Sequence, residues 1–300
     1  MLMKILLVGG TGLIGQEVQH LFLEKQIRCI APGRDELNLE NPESIDSCLK
    51  KYQPDIVVNC AGYNDPVKAE NEPSKCFRIN RDAMATLADC CNRQNAILVY
   101  ISTYRVFDGT KKEAYTEKDI PNPSGVLATS RWQAEQQISE RCPKHIILRL
   151  SWVISYRRTN LLKYLLDQIS REQEVAVVSD QQGCPTPSED AARVIVAIIQ
   201  QLGCGAEPWG TYHYAGAESI SENRFAEAVI SEASQYQDLK IRKLRMDKLN
   251  DRNGIQAPAN ATLSCRKILS TFGVHNKTWR GSLSRMIKSY YGSSTPEITS

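Results

Sequence analysis

Long apolar runs and blocks of like charge are absent from this 300-residue chain. No stretch approaches the roughly 18 apolar residues that a membrane span needs. The short apolar run Lys4–Val8 ends at Gly9 and Gly10 without a cleavage-type segment, so we expect no signal peptide and a cytoplasmic protein. The net charge is only +3 and no Lys/Arg cluster stands out, which argues against nucleic-acid or membrane-surface partners.

The ten cysteines include no Cys-x-x-Cys motif. Cys90 and Cys91 are adjacent in sequence, and the other cysteines near them stand alone in apolar or helical contexts. This spacing lacks the usual zinc-binding arrangement, so we predict no metal site. Without an export signal, free buried thiols are favoured over disulfides.

The composition is that of an ordinary globular protein, with 42% hydrophobic and 24% charged residues. In the first half, short apolar runs alternate with segments whose apolar residues recur at helical spacing. This alternation predicts right-handed βαβ units, and hence an α/β fold with a Rossmann-like, doubly wound parallel sheet. The predicted strands are Lys4–Val8, Ile27–Ala31, Asp55–Cys60, Ile97–Ile101 and His145–Leu150, and the predicted helices are Ile14–Phe22, Pro42–Tyr52, Asn80–Cys91 and Ser130–Ser139.

A glycine-rich loop directly follows the first predicted strand. Gly9, Gly12 and Gly15 have the spacing G-x-x-G-x-x-G between a strand and a helix, which is the context that dinucleotide-binding loops require. Gly9 permits the tight turn, Gly12 lets the backbone approach a pyrophosphate, and Gly15 lets the helix pack closely on the strand. The helix N-terminus adds free N–H groups. A glycine turn without a ligand is the alternative.

The end of the second predicted strand bears on the type of dinucleotide. Ile30–Arg34 contains no acidic residue, and the first one after it is Asp35. An NAD-preferring site would place Asp or Glu here to bind the ribose hydroxyls. Arg34 could instead contact a 2′-phosphate, so we expect NADP(H) to be favoured over NAD(H). A solvated loop cation is the alternative for Arg34.

The pattern changes after residue 151, where Gly and Pro cluster between the predicted elements. We predict an NAD(P)-binding Rossmann domain over 1–152 with a further helix at about 188–203. A smaller mixed α/β substrate-binding cap is expected over 153–187 and 204–290, and a disordered tail over 291–300. The predicted elements of this half are the helices Leu161–Ile169, Asp190–Leu202 and Phe225–Ser234 and the strand Thr211–Tyr214.

Further short motifs follow one another in a specific order. They are Glu36–Leu39, Asn59–Tyr63, Lys68–Glu70, Ser102-Thr103, Val106–Gly109, Arg149-x-Ser151-Trp152, Asp180–Thr186, Tyr212–Gly216 and Pro258-x-Asn260-x-x-Leu263. Each motif alone is weak, but their order and spacing together are specific. They resemble the dTDP-4-dehydrorhamnose reductase family of extended short-chain dehydrogenases/reductases, from about Met3 to about Gly273.

The resemblance implies reduction of a 4-keto nucleotide sugar by NAD(P)H. In that family a Tyr donates the proton, a Lys lowers its pKa and holds the nicotinamide ribose, and a Thr or Ser hydrogen-bonds the keto oxygen. By position Thr103 is this Thr, and Arg105, Leu127 and Trp152 fall at the substrate. The cofactor-binding set implied by the loop and the resemblance is Gly9, Thr11, Gly12, Leu13, Ile14, Gly15, Arg34, Asn38, Leu39, Cys60, Ala61, Gly62, Tyr63, Asn80, Ser102 and Arg131.

The family's Tyr-x-x-x-Lys pair falls on Leu127 and Arg131. Leucine cannot transfer a proton, and arginine could bind ribose hydroxyls but cannot tune a tyrosine as lysine does. Tyr104 is the remaining candidate donor, although adjacent strand residues such as Thr103 and Tyr104 face opposite ways unless the chain bends. Arg105 stands in place of a neutral phenol and favours an anionic group. The alternatives are an apolar residue packed under the cap for Leu127 and a surface cation for Arg105.

Three functions are compatible with these residues. The first is a divergent reductase of a nucleotide sugar with altered proton delivery. The second is a catalytically silent NADP(H)-binding protein that regulates or scaffolds a partner enzyme. The third is a non-redox isomerase, cyclase or lyase acting on an anionic substrate. The resemblance also implies a homodimer as a candidate assembly, and the sequence does not identify the substrate.

Overall fold

The main sheet of the computed structural model, which describes residues 3–171, 174–239, 243–248 and 257–293, has six parallel strands. The chain passes from β1 to β2 on one side and then to β3 on the other, so the strand order reverses there. This confirms the predicted doubly wound α/β fold. Across the sheet the strands are β10 (Gly210–Tyr214), β5 (His145–Leu150), β4 (Ile97–Thr103), β3 (Ile56–Asn59), β1 (Ile5–Val8) and β2 (Cys29–Ile30).

Helices cover both faces of the sheet because successive strand residues point to opposite sides. On β1, Ile5 and Leu7 pack into the core of one face, and Leu6 and Val8 pack into the core of the other. The first face is covered by α1 (Leu13–Glu24) and α8 (Ser188–Gly203), and the second by α2 (Pro42–Tyr52), α5 (Ala83–Arg93) and α6 (Gly125–Arg141).

Short helices that the sequence analysis did not predict lie between β3 and α5. Helices α3 (Pro66–Asn71) and α4 (Pro73–Phe77) each begin with proline, whose missing N–H costs nothing at a helix start. A π-helix over Arg78–Asp82 then leads into α5, so the predicted helix Asn80–Cys91 begins inside this wider turn. π-Helical turns are rare in proteins, and those that occur are often found at functional sites.

Helix α6 begins at Gly125 rather than at the predicted Ser130. A carboxylate from another helix supports this start, because Glu70 of α3 accepts the Val126 N–H at 2.7 Å. A contact between residues so far apart has no local sequence signal, which explains the missed start. As a result, Leu127 lies in the first turn of α6.

The region beyond β5 has its own hydrophobic core. Two predictions for this region are corrected. Thr211–Tyr214 belongs to β10 and pairs with β5 in the main sheet, not in a separate cap. The helix α11 continues through Gly292 to Ser293, where we predicted a disordered tail, and residues 294–300 lie outside the described ranges. The separate hydrophobic core of the region beyond β5 is formed mainly by α7 (Leu161–Arg171), β7 (Glu174–Val178), α9 (Glu222–Ala233) and α11 (Arg280–Ser293).

Small strand pairs connect this region to the carboxyl end of the sheet. The pairs are β6 (Val153–Ile154) with β9 (Thr186–Pro187), β8 (Gln182–Gly183) with β11 (Ile220–Ser221), and β7 with β12 (Lys243–Asp247), and α10 (Arg266–Phe272) packs beside β10. The two-residue strands β6, β8, β9 and β11 are too short to predict from alternating hydrophobicity.

Strand β2 contains only Cys29 and Ile30 of the predicted Ile27–Ala31, because at the sheet edge it pairs with just two residues of β1. All ten cysteines are unpaired thiols, and seven of them are buried. Across the described ranges, no helix combines the length and apolar character needed to cross a bilayer.

Candidate active site

A cleft of about 1140 Å³ opens at the carboxyl ends of β1, β3 and β4, where the strand order reverses. Ligands of doubly wound folds bind at such a reversal. The glycine-rich loop between β1 and α1 forms one wall. Gly9 has a φ of +82°, and a Cβ there would lie 2.7 Å from the Ala61 nitrogen. A Cβ on Gly15 would lie 2.1 Å from the Gly9 oxygen. Only glycine permits these close approaches.

Helix α1 directs its N-terminus into the cleft. Gly12 is its N-cap residue, no side chain caps the first N–H groups, and the first turn contains no acidic residue. Gly12, Leu13 and Ile14 all line the cleft. A helix N-terminus carries partial positive charge and unpaired donors, so this wall is suited to a phosphate group.

Most of the residues predicted to bind the cofactor line this cleft. Two do not: Gly15 packs against Gly9, and Asn80 lies behind the wall. Burial raises the pKa of the Cys60 thiol to about 12, so Cys60 stays a neutral thiol at ordinary pH. The predicted residues that line the cleft are Gly9, Thr11, Gly12, Leu13, Ile14, Arg34, Asn38, Leu39, Cys60, Ala61, Gly62, Tyr63, Ser102 and Arg131.

Asn80 fixes the loop that follows β3. It lies in the π-helix and is 1% exposed. Its Oδ1 accepts the Tyr63 N–H at 2.8 Å, and its Nδ2 donates to the Tyr63 carbonyl and to the Ser130 hydroxyl, both at 3.0 Å. Asn80 therefore shapes the wall of the cleft, where we had predicted direct contact with the cofactor.

The segment after β2 contributes a cation without an acidic partner. Arg34 is exposed, lines the cleft, and forms no ion pair within the described ranges. Glu40 also lines the cleft, but its carboxylate is 3.2 Å from the guanidinium of Arg78. Asn38 closes this turn by accepting the Glu40 N–H at 3.0 Å. Arg34 therefore adds a positive charge to the edge of the cleft.

Thr103, Tyr104 and Arg105 all line the cleft because the chain bends where β4 ends. Thr103 caps a short 3₁₀ turn over Tyr104–Val106, with its Oγ1 accepting the Arg105 N–H at 3.2 Å. The Thr103 hydroxyl proton is then free to bond a ligand oxygen. The turn removes the strand alternation that would have separated Thr103 from Tyr104.

Tyr104 is 8% exposed, and its hydroxyl forms no hydrogen bond in the part of the chain that the structure describes. The Arg105 guanidinium lies 5.6 Å from the centroid of the Tyr104 ring, in a cation–π contact. Arg105 has no acidic partner within the described ranges. A phenol and a cation are therefore both available beside Thr103.

Leu127 lines the cleft from the first turn of α6 and is 8% exposed. Its side chain packs with Ala69 of α3 and Cys76 of α4, and Tyr63 packs against the same small cluster. The neighbours of Leu127 therefore belong to the sheet-bearing part of the chain. The alternative of an apolar packed residue therefore agrees with the structure, with the packing contacts made to α3 and α4.

Arg131 is a buried cation with neutral partners. It is only 6% exposed, yet it lines the cleft one turn after Leu127. Its Nη1 donates to the Tyr100 hydroxyl at 2.9 Å, and its Nη2 donates to Oδ1 of Asn64. A Cβ on Gly62 would lie 2.2 Å from Nη2, so the guanidinium rests on the backbone there. No carboxylate pairs with Arg131 within the described residues, and a buried charge of this kind favours an anionic ligand.

A buried polar network supports the end of β4 from behind. The Ser102 hydroxyl donates to Oε1 of Glu135, and Glu135 forms a bidentate ion pair with Arg149. The Arg149 Nη1 lies 3.3 Å from Nε2 of His213 on β10. Burial, together with the charge of Arg149, lowers the pKa of His213 to about 3. His213 is therefore neutral, and the network spans β4, α6, β5 and β10.

Part of the cleft wall comes from residues that the sequence analysis missed. They lie in the loops after β6 and β7 and at the start of α7 and α9. The clearest signal was the run Arg157–Asn160, which follows β6. Trp152 itself lines the cleft as predicted, and it packs so closely on Gly183 that a Cβ there would lie 2.4 Å from the indole ring. The missed residues include Arg158, Thr159, Asn160, Leu161, Tyr164, Gln181 and Glu222.

The reversed strand order, the glycine loop and the cleft define a protein with the fold of the short-chain dehydrogenases/reductases. Solved structures with this fold include a dTDP-4-dehydrorhamnose reductase from Clostridium acetobutylicum, which is 26% identical with a TM-score of 0.86 and covers 96% of this chain and 99% of its own. A UDP-glucose 4-epimerase from Thermotoga maritima is 15% identical with a TM-score of 0.81, covering 97% and 99%.

The chain belongs to the RmlD substrate binding domain family, whose pattern it matches over residues 3–291. A dTDP-4-dehydrorhamnose reductase from Sinorhizobium fredii is 30% identical over 287 residues, which are 95% of this chain and 97% of the relative. The structure of such a reductase from Bacillus anthracis, solved with NADP, is 24% identical with a TM-score of 0.84 and covers 96% and 99% of the two chains.

Proposed function

We propose that this protein binds NADP(H) and acts as a dTDP-4-dehydrorhamnose reductase-like converter of a 4-keto nucleotide sugar. The observation that carries the proposal is the continuity of the cleft, which runs from the glycine loop past Arg34 to Thr103. The residues suit a dinucleotide because Gly9 permits the tight turn of the loop against Ala61, and α1 offers uncapped N–H groups.

A bound nicotinamide would supply the hydride for this chemistry. The Thr103 hydroxyl is positioned to donate a hydrogen bond to a keto oxygen, and Arg131 to bind ribose hydroxyls. The helical position at which the family's reductases have a tyrosine is occupied by Leu127, which has no proton to give. We therefore expect slow reduction, with the loss of a proton donor costing about 2–4 powers of ten in rate.

The test is a single-turnover absorbance measurement at the NADPH band. The protein loaded with NADPH is mixed with a dTDP-4-keto-6-deoxyhexose, beside the double variant Leu127→Tyr/Arg131→Lys. We expect slow oxidation by the parent and a gain of at least tenfold in the variant. Fast oxidation by the parent would point to another donor, with Tyr104→Phe as the next variant. No oxidation by either would contradict the proposed substrate.

A second candidate is a non-redox reaction on an anionic substrate, and Arg131 favours it. A buried guanidinium with neutral partners, in the same cleft as Arg105, is suited to a carboxylate or phosphate. Turnover without change in NADPH absorbance would support this candidate, and Arg105→Tyr should then abolish it. Cofactor binding without any turnover would instead support the silent regulatory role.

A further inference from the structure

The loop between β6 and α7 reaches across to the glycine-rich loop. Arg158 in this loop is exposed, lines the cleft, and donates from Nη2 to the Thr11 carbonyl at 2.5 Å. The two residues are 147 positions apart in sequence. Arg158 forms no ion pair within the described ranges, so its charge is uncompensated at this wall.

Asn160 gives this loop a defined shape. Its Nδ2 donates to the carbonyls of Ser155 at 2.7 Å and of Arg157 and Arg158 at 3.0 Å. Its Oδ1 accepts the N–H of Leu162 at 3.0 Å. Arg158 has a φ of +54°, a left-handed conformation that a residue with a side chain keeps only where its surroundings hold it. The loop therefore presents Arg158 in a fixed direction.

Two sources of positive charge converge at Thr11. One is the uncapped N-terminus of the 12-residue helix α1, and the other is the Arg158 guanidinium from the opposite wall. A carbonyl oxygen satisfies only part of a guanidinium, whose planar fork matches two phosphate oxygens. The chemical group that fits between a helix N-terminus and an arginine is a phosphate or diphosphate.

We propose that Arg158 clamps the diphosphate of the dinucleotide against the glycine loop. The inference depends on the cofactor binding proposed above. In this arrangement Arg158 exchanges its bond to the Thr11 carbonyl for bonds to the diphosphate, and so closes the cleft over the cofactor. Its role differs from that of Arg34, because the diphosphate is common to NADH and NADPH whereas the 2′-phosphate belongs to NADPH alone.

This difference gives a test by calorimetric titration of NADPH and NADH. We expect Arg158→Gln to weaken both cofactors by about 10- to 100-fold, the range for losing charge-assisted hydrogen bonds. We expect Arg34→Gln to weaken NADPH only. Arg157→Gln is the matched control, since Arg157 adjoins Arg158 but does not line the cleft and lies 3.9 Å from Glu17. It should change either affinity less than twofold.

The titrations distinguish a failure of cofactor binding from a failure of the Arg158 clamp. If the parent binds neither dinucleotide, the proposed cofactor binding itself fails, and the clamp fails with it. If the parent binds but Arg158→Gln binds both cofactors within twofold of the parent, only the clamp is wrong. A loss confined to NADPH would also overturn it, because Arg158 would then contact the 2′-phosphate. Arg158→Lys should recover part of the affinity, and an unchanged melting temperature verifies that each variant is folded.

Discussion

The two ends of the cleft are built in different ways. At the glycine loop the backbone itself forms the wall, with Gly9 and Gly15 in contact and α1 supplying N–H groups. At the end of β4 the wall consists of side chains from separate elements, namely Thr103 and Tyr104 after β4 and Leu127 and Arg131 on α6. The first end depends on close backbone approach, and the second depends on the identity of individual side chains.

This difference explains why the two ends tolerate change unequally. A side chain at Gly9 or Gly15 would collide with the backbone of Ala61 or of Gly9 and so displace the loop. At the other end Leu127 packs with Ala69 and Cys76, and a change of its side chain would alter the lining of the cleft without displacing a backbone contact. Side chains such as those at the end of β4 are therefore where members of one fold can diverge in activity.

The largest expected effect is a loss of stability, and it concerns the β4 end of the cleft. Glu135→Ala would leave Arg149 buried without its partner, since their side chains are only 1% and 4% exposed. Breaking such a pair typically costs about 3–5 kcal/mol in the free energy of unfolding, measurable by urea denaturation. The double variant Glu135→Leu/Arg149→Met is the control and should lose less. A loss below about 1 kcal/mol in the single variant would mean that the network does not support β4.

The next largest effect is expected at the glycine loop, where a substitution should weaken NADPH binding and leave stability unchanged. Gly12 has φ −73° and ψ 172°, which any residue can adopt, and a Cβ there would lie 3.1 Å from the Gly9 oxygen. We expect Gly12→Val to fold but to weaken NADPH binding at least a hundredfold, or about 3 kcal/mol, by filling the space beside the loop. Gly281→Val is the control, because nothing lies within 4 Å of that position. Retained binding by Gly12→Val would reduce the loop to a simple turn.

The smallest effect is the pH dependence of stability, which reports on the buried polar network behind β4. His213 has a pKa of about 3 when folded and an ordinary value of 6.5. Below pH 6.5 the unfolded chain therefore binds a proton that the folded chain refuses. The contribution of His213 to stability is complete above pH 6.5 and falls between pH 6.5 and 3, by about 1 kcal/mol per pH unit.

Urea denaturation from pH 7 to pH 4 measures this slope. His213→Gln should make it shallower, although not flat, because burial also lowers the pKa of His145. Asp108 and Asp119, whose folded pKa values of about 2 lie below their ordinary value of 3.8, add their own slope only below about pH 5, so the variant and the parent are compared between pH 7 and pH 5. An unchanged slope in His213→Gln would show that this imidazole is not held neutral.

Much of the fold was predictable because its signals are local. The continuous apolar runs of β1 and β5 and the periodic residues of α2 follow from what a buried strand or an amphipathic helix requires. The strand Thr211–Tyr214 was predicted at the right residues but assigned to the cap and not to the main sheet, because a short strand does not reveal its partner. Its pairing with β5 is a contact between residues about 60 positions apart, which no local pattern encodes.

The sequence by itself determined the glycine loop, the four-residue spacing of Leu127 and Arg131, and the lack of an acidic residue in Ile30–Arg34. Each of these depends only on residue type at short spacing. Only the tertiary structure decided that Arg131 is buried with neutral partners, that Thr103 and Tyr104 share one wall, and that Arg158 reaches Thr11. Burial and charge balance depend on residues brought together from distant parts of the chain, so they exist only once the chain has folded.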